Sequence, residues 1–307
     1  MSEYIDRFNK INKEYIQFKE DSKNSKLRIR DISNKLKVSE AELLSLSVND
    51  NTSFLSINDF NQFFTYLLSN IDKVMFLIRS EFVVHEKTIN AGDFKIINDS
   101  IVNKKNNSLL IKFNSKTFKY CFFEIKIHQN RNLKSFQFFD YYGTSVIKIY
   151  LKGKKDNEFM NLANKYKVKY NYQIQKDYIS KKYLKFKNNH SKEIPPNSDF
   201  KITLRQILNN VAKKSIPVNI HAFGVECMQC HSEIIKNIVD YGPWLNVMDK
   251  NFNIHVLENK ITSSNCGTKD SNNFIDFYDI NNNLVLSISG KNEYNDILKK
   301  IIQENNE

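Results

Sequence analysis

The second half of this chain repeats the order of elements found in its first half, and that repetition limits the available folds more than any single motif. In the first half, Phe60, Phe63, Phe64, Leu67, Leu68 and Ile71 line one side of an amphipathic helix spanning residues 58 to 71. Apolar runs follow at Val74–Ile78 and Phe82–Val84, broken by Arg79-Ser80-Glu81, so residues 73 to 87 read as extended. Strand candidates at 108–113, 118–127 and 135–139 lead through Asp140-Tyr141-Tyr142-Gly143 into 146–151, with Gly143 supplying the hairpin turn. A helix from Asp156 to Tyr166 closes the half.

The second half begins again with a short helix marked by Leu204, Ile207, Leu208 and Val211. Residues 218–223 and 225–235 mirror 74–89, in a register that sets Glu81 opposite Glu226 and His85 opposite Cys230. Residues 274–279 and 284–288 mirror 136–139 and 146–149, and a helix from Glu293 to Gln303 closes the chain. Self-similarity at half the length implies a duplicated α+β unit. The expected organisation is an N-terminal repeat, 1–166, a connecting segment, 167–200, and a shortened C-terminal repeat, 201–307. The connecting segment is rich in Lys, Asn and Tyr and ends in Ile194-Pro195-Pro196-Asn197.

Within the second repeat, Tyr241-Gly242-Pro243 reads as a turn, because Gly permits positive φ and Pro fixes its own. Trp244, Val247, Phe252, Ile254 and Val256 give strand character on both sides of an Asp249-Lys250-Asn251 corner. Trp244 is the chain's one Trp, and it is expected to anchor a core. Residues 1–25 form a polar helix with Tyr4, Ile5, Phe8, Ile11, Tyr15 and Phe18 as its apolar stripe. Next, Ile29, Ile32 and Leu36 mark a helix, and Ser39 with Glu42 forms a capping box that opens another. Two helices joined by a short turn also outline a DNA-binding helix-turn-helix. The second helix, however, is rich in Glu and Leu and has no Arg, Asn or Gln to reach base edges, which favours a packing hairpin.

Composition narrows the function classes. The net charge of +12 suits an anionic partner, but the Lys residues are scattered rather than striped, as on a solvated surface. The N-terminus lacks an apolar signal region, no run approaches the ~20 apolar residues of a membrane span, and four Cys do not make a disulfide framework. A cytoplasmic location follows as the expectation. No phosphate-cradling Gly loop, nucleophile elbow or H-E-x-x-H is present.

Cys227-Met228-Gln229-Cys230-His231 matches the C-x-x-C-H of covalent haem attachment. It lies in a strand pattern, where positions three apart face opposite ways, so both sulfurs cannot reach one ligand edge. Buried small hydrophobes account for it better. His85-Glu86-Lys87 directly follows an apolar run, and its imidazole is either a solvent-facing strand end or a ligand to haem iron.

Several strings resemble, in order and in both halves, the HemS/ChuS (HemS/ChuX-type) family of haem-utilisation, haemin-degrading proteins. They are Arg30-Asp31-Ile32 with Val38-Ser39-Glu40-Ala41-Glu42-Leu43, then Val83-Val84-His85-Glu86-Lys87, then Phe136 to Gly143 with Lys148-Ile149-Tyr150, and finally Gly242 to Leu257. The resemblance implies two repeats, each an antiparallel β-sheet with flanking helices, the sheets forming a central core. It implies haem as ligand or substrate, a role in iron acquisition, and ring opening with iron release given an electron donor and oxygen or peroxide. Some members are instead haem carriers. His85 matches a first-repeat family His proposed as an iron ligand. The segment that holds the family's principal axial His is shortened here, and His190 is the imidazole nearby. Lys112 stands where the family has a propionate-binding strand Arg, and Lys291, in Ser289-Gly290-Lys291-Asn292, where it has Tyr-Gly-x-Arg. His85 or His190 is thus expected at the metal, with Lys112 and Lys291 at the propionates. The competing reading is a basic nucleic-acid-associated protein using residues 28–46 and the surplus Lys.

Overall fold

The sequence periodicities become a mixed chain of helices and antiparallel strands, described by a computed structural model over residues 2–24, 27–128, 131–180, 203–269, 271–291 and 294–304. It opens with helices α1 (Glu3–Glu20), α2 (Ile29–Leu36) and α3 (Glu40–Ser45), strand β1 (Thr52–Leu55) and helix α4 (Phe60–Asn70). Strands β2 (Lys73–Arg79), β3 (Val83–Asn90), β4 (Phe94–Ile97), β5 (Ser100–Asn103) and β6 (Leu109–Phe113) come next. The first half ends with β7 (Tyr120–His128), β8 (Arg131–Phe139), β9 (Ser145–Leu151), α5 (Asp156–Tyr166) and a further helix, α6 (Gln173–Ile179). That last helix lies in the stretch read from sequence as a bare connection.

The second half runs α7 (Leu204–Lys213), β10 (Val218–Gly224), β11 (Cys227–Glu233), β12 (Ile238–Tyr241), β13 (Trp244–Asp249) and β14 (Phe252–Leu257). It closes with β15 (Ile261–Lys269), β16 (Asn272–Asp279), β17 (Leu284–Gly290) and α8 (Asn295–Glu304). Element for element the halves correspond: α4 with α7, β2–β3 with β10–β11, β4–β6 with β12–β14, β7–β9 with β15–β17, and α5 with α8. The fold is α+β in two repeats.

The hairpin registers correct one expectation. Gly224 faces Cys227 across the tip Val225-Glu226, and Arg79 faces Val84, with Ser80 bonded to Val83 across the tip Glu81-Phe82. Matching the two tips sets Lys87 on His231 and His85 on Gln229, one residue from the sequence alignment that paired His85 with Cys230. In a strand, a slip of one residue turns every side chain to the other face.

The repeats also exchange strands. β6 of the first repeat bonds to β11 of the second (Phe113 opposite Cys227), and β14 of the second bonds to β3 of the first (Phe252 opposite Lys87). Contacts therefore divide the chain into one unit of residues 1–72 with 114–190 and another of 73–113 with 191–307.

In the first unit β1, β7, β8 and β9 lie side by side in that order. Asp59 caps α4 by accepting from the Gln62 amide, and the helix buries Phe63, Phe64, Leu67 and Leu68. Phe63 meets Phe136 edge-on at 5.0 Å, and Phe136 meets Phe159 of α5 at 4.6 Å. Such pairs add about 0.5–1.5 kcal/mol each beyond area burial. Ser39 and Glu42 form the expected capping box. Every residue of α3 is buried, with Glu40 paired to Arg30 at 2.8 Å and Glu42 to Arg7 at 2.8 Å. No face of that helix is free to enter a DNA groove.

In the second unit, strands β2-β3-β14-β13-β12 face the strands of an eight-stranded sheet ordered β15-β16-β17-β10-β11-β6-β5-β4. The Gln229 amide crosses between them to the Phe76 carbonyl at 3.3 Å. Phe76, Ile78, Val83, Ile254, Ile220 and Ala222 fill the interior. Gly242 has φ +56° at the first position of the two-residue loop joining β12 to β13, as a primed hairpin turn requires. Trp244 beside it is only partly buried; Leu245, Val247, Phe252 and Val256 are the anchors of this hairpin.

Candidate functional site

Alternation along β3 sends Val83, His85 and Lys87 inward together, and register brings Phe252 and Ile254 of β14 beside Lys87 and His85. β11 presents Gln229 and His231 from the facing sheet. His85 is fully buried (0% exposed), its ring 5.1 Å from that of Phe252. Neither of its ring nitrogens has a hydrogen-bond partner among the described residues. Burial, reinforced by the charge of Lys87, pushes its pKa down to about 3, with the Gln229 side chain pulling weakly the other way. His85 is a neutral imidazole in an apolar interior, rather than a strand end in solvent.

His231 also packs on Phe252, with the rings stacked at 3.6 Å and inclined by only 7°. Its Nδ1 is 3.0 Å from Lys87 Nζ, and its Nε2 is buried with no described partner. Burial, then the nearby Lys87, His85 and Lys291, push its pKa to about 2. Lys87 is itself drawn below the ordinary lysine range by burial, against the pull of Glu233 4.0 Å away.

These groups line a cavity of about 600 Å³ in the second unit, whose walls include Lys87, His231, Glu233, Asp249, Phe252 and Lys291. Lys291 Nζ donates to the Ser232 carbonyl at 3.0 Å. Asp249 accepts from the backbone amides of Lys236 and Asn237, so its charge is engaged at the wall.

Of the residues expected from sequence, Lys291 lines the cavity, whereas His85 is buried against Phe252 and is not among the lining residues. Lys112 is exposed on β6. Its register partner is Met228, and alternation along β11 puts Cys230 on that same outer face, next to His221 of β10. It is therefore on the face of the sheet opposite His231. His190 lies outside the described residues. Cys227 and Cys230 are buried free thiols, lifted to about 12 by burial, and β11 points them to opposite faces. Among the described residues no cluster of three His, Cys, Asp or Glu could hold a bare metal ion.

Sequence reasoning missed Lys87 and His231. Both stood in strings that were weighed, one beside His85 and the other at the end of the Cys-x-x-Cys-His motif. In that motif the strand pattern explains the thiols and says nothing of the imidazole. Strand alternation from Gln229 was the available signal.

A duplicated α+β chain with exchanged strands and an open pocket lined partly by lysines defines a class of protein, and sequence comparison names it. The chain belongs to the family of the haemin-degrading HemS.ChuX domain, whose model matches residues 37–166 and again 197–299. Solved structures of the same fold include the heme degrading enzyme ChuS of Escherichia coli O157:H7, at TM-score 0.77 and 16% identity, covering 94% of this chain and 97% of that one. Holo-PhuS, a heme-binding protein from Pseudomonas aeruginosa, matches at TM-score 0.77 and 16% identity over 96% and 98%. No curated protein sequence matches.

Proposed function

We propose that this chain binds haem and serves iron acquisition, opening the ring oxidatively with release of iron when an electron donor is supplied. Family membership over both halves supports the ligand class. The observation that carries the reading is the cavity itself, in which the uncharged imidazole of His231 sits beside Lys87 and Lys291, a pairing suited to a flat macrocycle with carboxylate edges. Orphaned imidazole nitrogens in an apolar interior fit an iron macrocycle, which brings four ligands of its own and asks the protein for one or two.

In this reading Lys87 and Lys291 neutralise propionates and His190 or His85 supplies the axial nitrogen, while Lys112, expected at a propionate, lies on the opposite face of the sheet and takes no part at this cavity. Ligation by His85 requires its fully buried imidazole, which packs on Phe252 and is not among the cavity's lining residues, to gain access to the ligand. When bound, haem would supply the oxygen activation, and the chain would orient the ring and exclude water. Four free cysteines are in keeping with a reducing, cytoplasmic setting. No described helix is long and apolar enough to cross a membrane.

Titrating haemin into the purified protein should give a saturable Soret band. Its loss in His85→Leu or in His190→Ala identifies the ligand, and retention in both refutes both assignments. A bilin-like spectrum on adding reductant under air marks a degrading enzyme, and an unchanged Soret band marks a carrier. Salt-sensitive duplex DNA binding without any Soret band would overturn the haem reading.

A further inference from the structure

The haem reading leaves unexplained why His231 is held as it is. Lys87 Nζ lies 3.0 Å from His231 Nδ1. An ammonium group has three donors and no lone pair, so Nδ1 accepts in this contact. A neutral imidazole with an accepting Nδ1 carries its single hydrogen on Nε2. The Phe252 ring stacked at 3.6 Å blocks one face of the imidazole and hinders its rotation. Nε2–H is then a buried donor with no described acceptor, in a side chain only 2% exposed. Leaving such a group unbonded costs about 1–3 kcal/mol. The acids on the cavity wall do not relieve it: Asp249 is engaged by backbone amides, and the Glu233 side chain is 71% exposed.

We propose that His231 is a hydrogen-bond donor, through Nε2–H, to a carboxylate oxygen of the bound ligand, that Lys87 is the positioning residue that fixes its tautomer, and that Lys87 and Lys291 neutralise the incoming charge. A protonated Nε2 cannot ligate a metal, so His231 is distinct from the iron ligand despite being an imidazole on the cavity wall. Equating that carboxylate with a haem propionate rests on the haem-binding reading; the donor assignment itself does not.

Nitrogen-15 NMR of the histidine rings tests the tautomer in the full chain without ligand. Wild-type His231 should be neutral with hydrogen on Nε2 at pH 7, and Lys87→Met should release it to a mixture of tautomers. An Nδ1–H tautomer or an imidazolium in the wild type overturns the proposal. Binding is then measured with haemin and with iron-free protoporphyrin IX. His231→Leu should weaken both about tenfold and leave the Soret position unmoved, as loss of one charge-assisted hydrogen bond predicts, and His231→Gln, which keeps an amide donor, should restore part of the affinity. A loss confined to haemin, with a shifted Soret band, would make His231 an iron ligand and sink the idea. If the wild type takes up neither porphyrin, the haem reading fails, and benzoate serves as the carboxylate probe. A saturable shift of the His231 Nε2–H resonance then supports the donor role, and no shift overturns it.

Discussion

His85 and His231 both pack against the Phe252 ring, yet their nitrogens meet different surroundings. His85 has no described partner at all, whereas His231 is gripped by Lys87 at one nitrogen. Both have folded-state pKa values below the ordinary 6.5, at about 3 and about 2. The unfolded chain therefore takes up protons first as pH falls. Their contribution is intact above about pH 6.5 and is lost on acidification toward pH 3, at about 2 kcal/mol per buried imidazole between pH 6.5 and 5. Urea denaturation of His85→Leu should show stability within about 1 kcal/mol of wild type at pH 7, because two unsatisfied ring nitrogens are removed along with the ring. The same variant should narrow the stability gap between pH 7 and pH 5 by about 2 kcal/mol; an unchanged gap would mean that His85 titrates normally. At this scale the sequence marks His85 through its place after an apolar run. It cannot mark His231 as a cavity residue, because that role comes from Phe252 and Lys87, which are distant in sequence and meet only through cross-strand register.

Elements were more legible where their ends carry their own chemistry. Ser39 with Glu42, and the Gly143 turn, specify a helix start and a hairpin from a few residues each. These two devices also touch: Gly143 sits at φ +70°, its carbonyl accepts from the Ala41 amide at 3.0 Å, and a Cβ there would lie 2.4 Å from Ser39 Oγ. Gly143→Ala should therefore cost about 2 kcal/mol or more, from the left-handed backbone and from displacing the α3 cap together. A urea midpoint equal to that of the wild type would contradict this coupling. The β4–β5 hairpin was overlooked for want of length, with four residues in each strand. Its signal was nonetheless present: Asn98-Asp99 between two Ile-containing runs, both with positive φ, is the arrangement of a type I′ turn. The Cys-x-x-Cys-His string was placed correctly on a strand, with its thiols as core rather than attachment points. The helix α6 escaped notice because its buried residues include Gln175 and Asp177, whose partners Ser45 and Tyr120 lie far off in sequence.

At the scale of the whole molecule, duplication could be read from repeated element order, but the exchange of strands could not. Pairing of β6 with β11 and of β14 with β3 is a choice between edges that sequence periodicity does not distinguish. The exchange makes a definite prediction about pieces. Residues 1–180, which keep α6, and 203–307, expressed separately, should each be poorly ordered by near-ultraviolet circular dichroism and prone to self-association, while co-expression should yield a soluble pair with native spectra. A monomeric, cooperatively unfolding 1–180 would rule out a structural need for the exchanged strands. The same feature bears on how the protein is made. As the chain leaves the ribosome, β3 and β6 wait with bare amides and carbonyls until residues beyond 227 have emerged, on the order of ten seconds at ordinary translation speed. For that interval the nascent chain carries two strand edges awaiting their partners, so extra holdase during synthesis should raise its soluble yield in the cell.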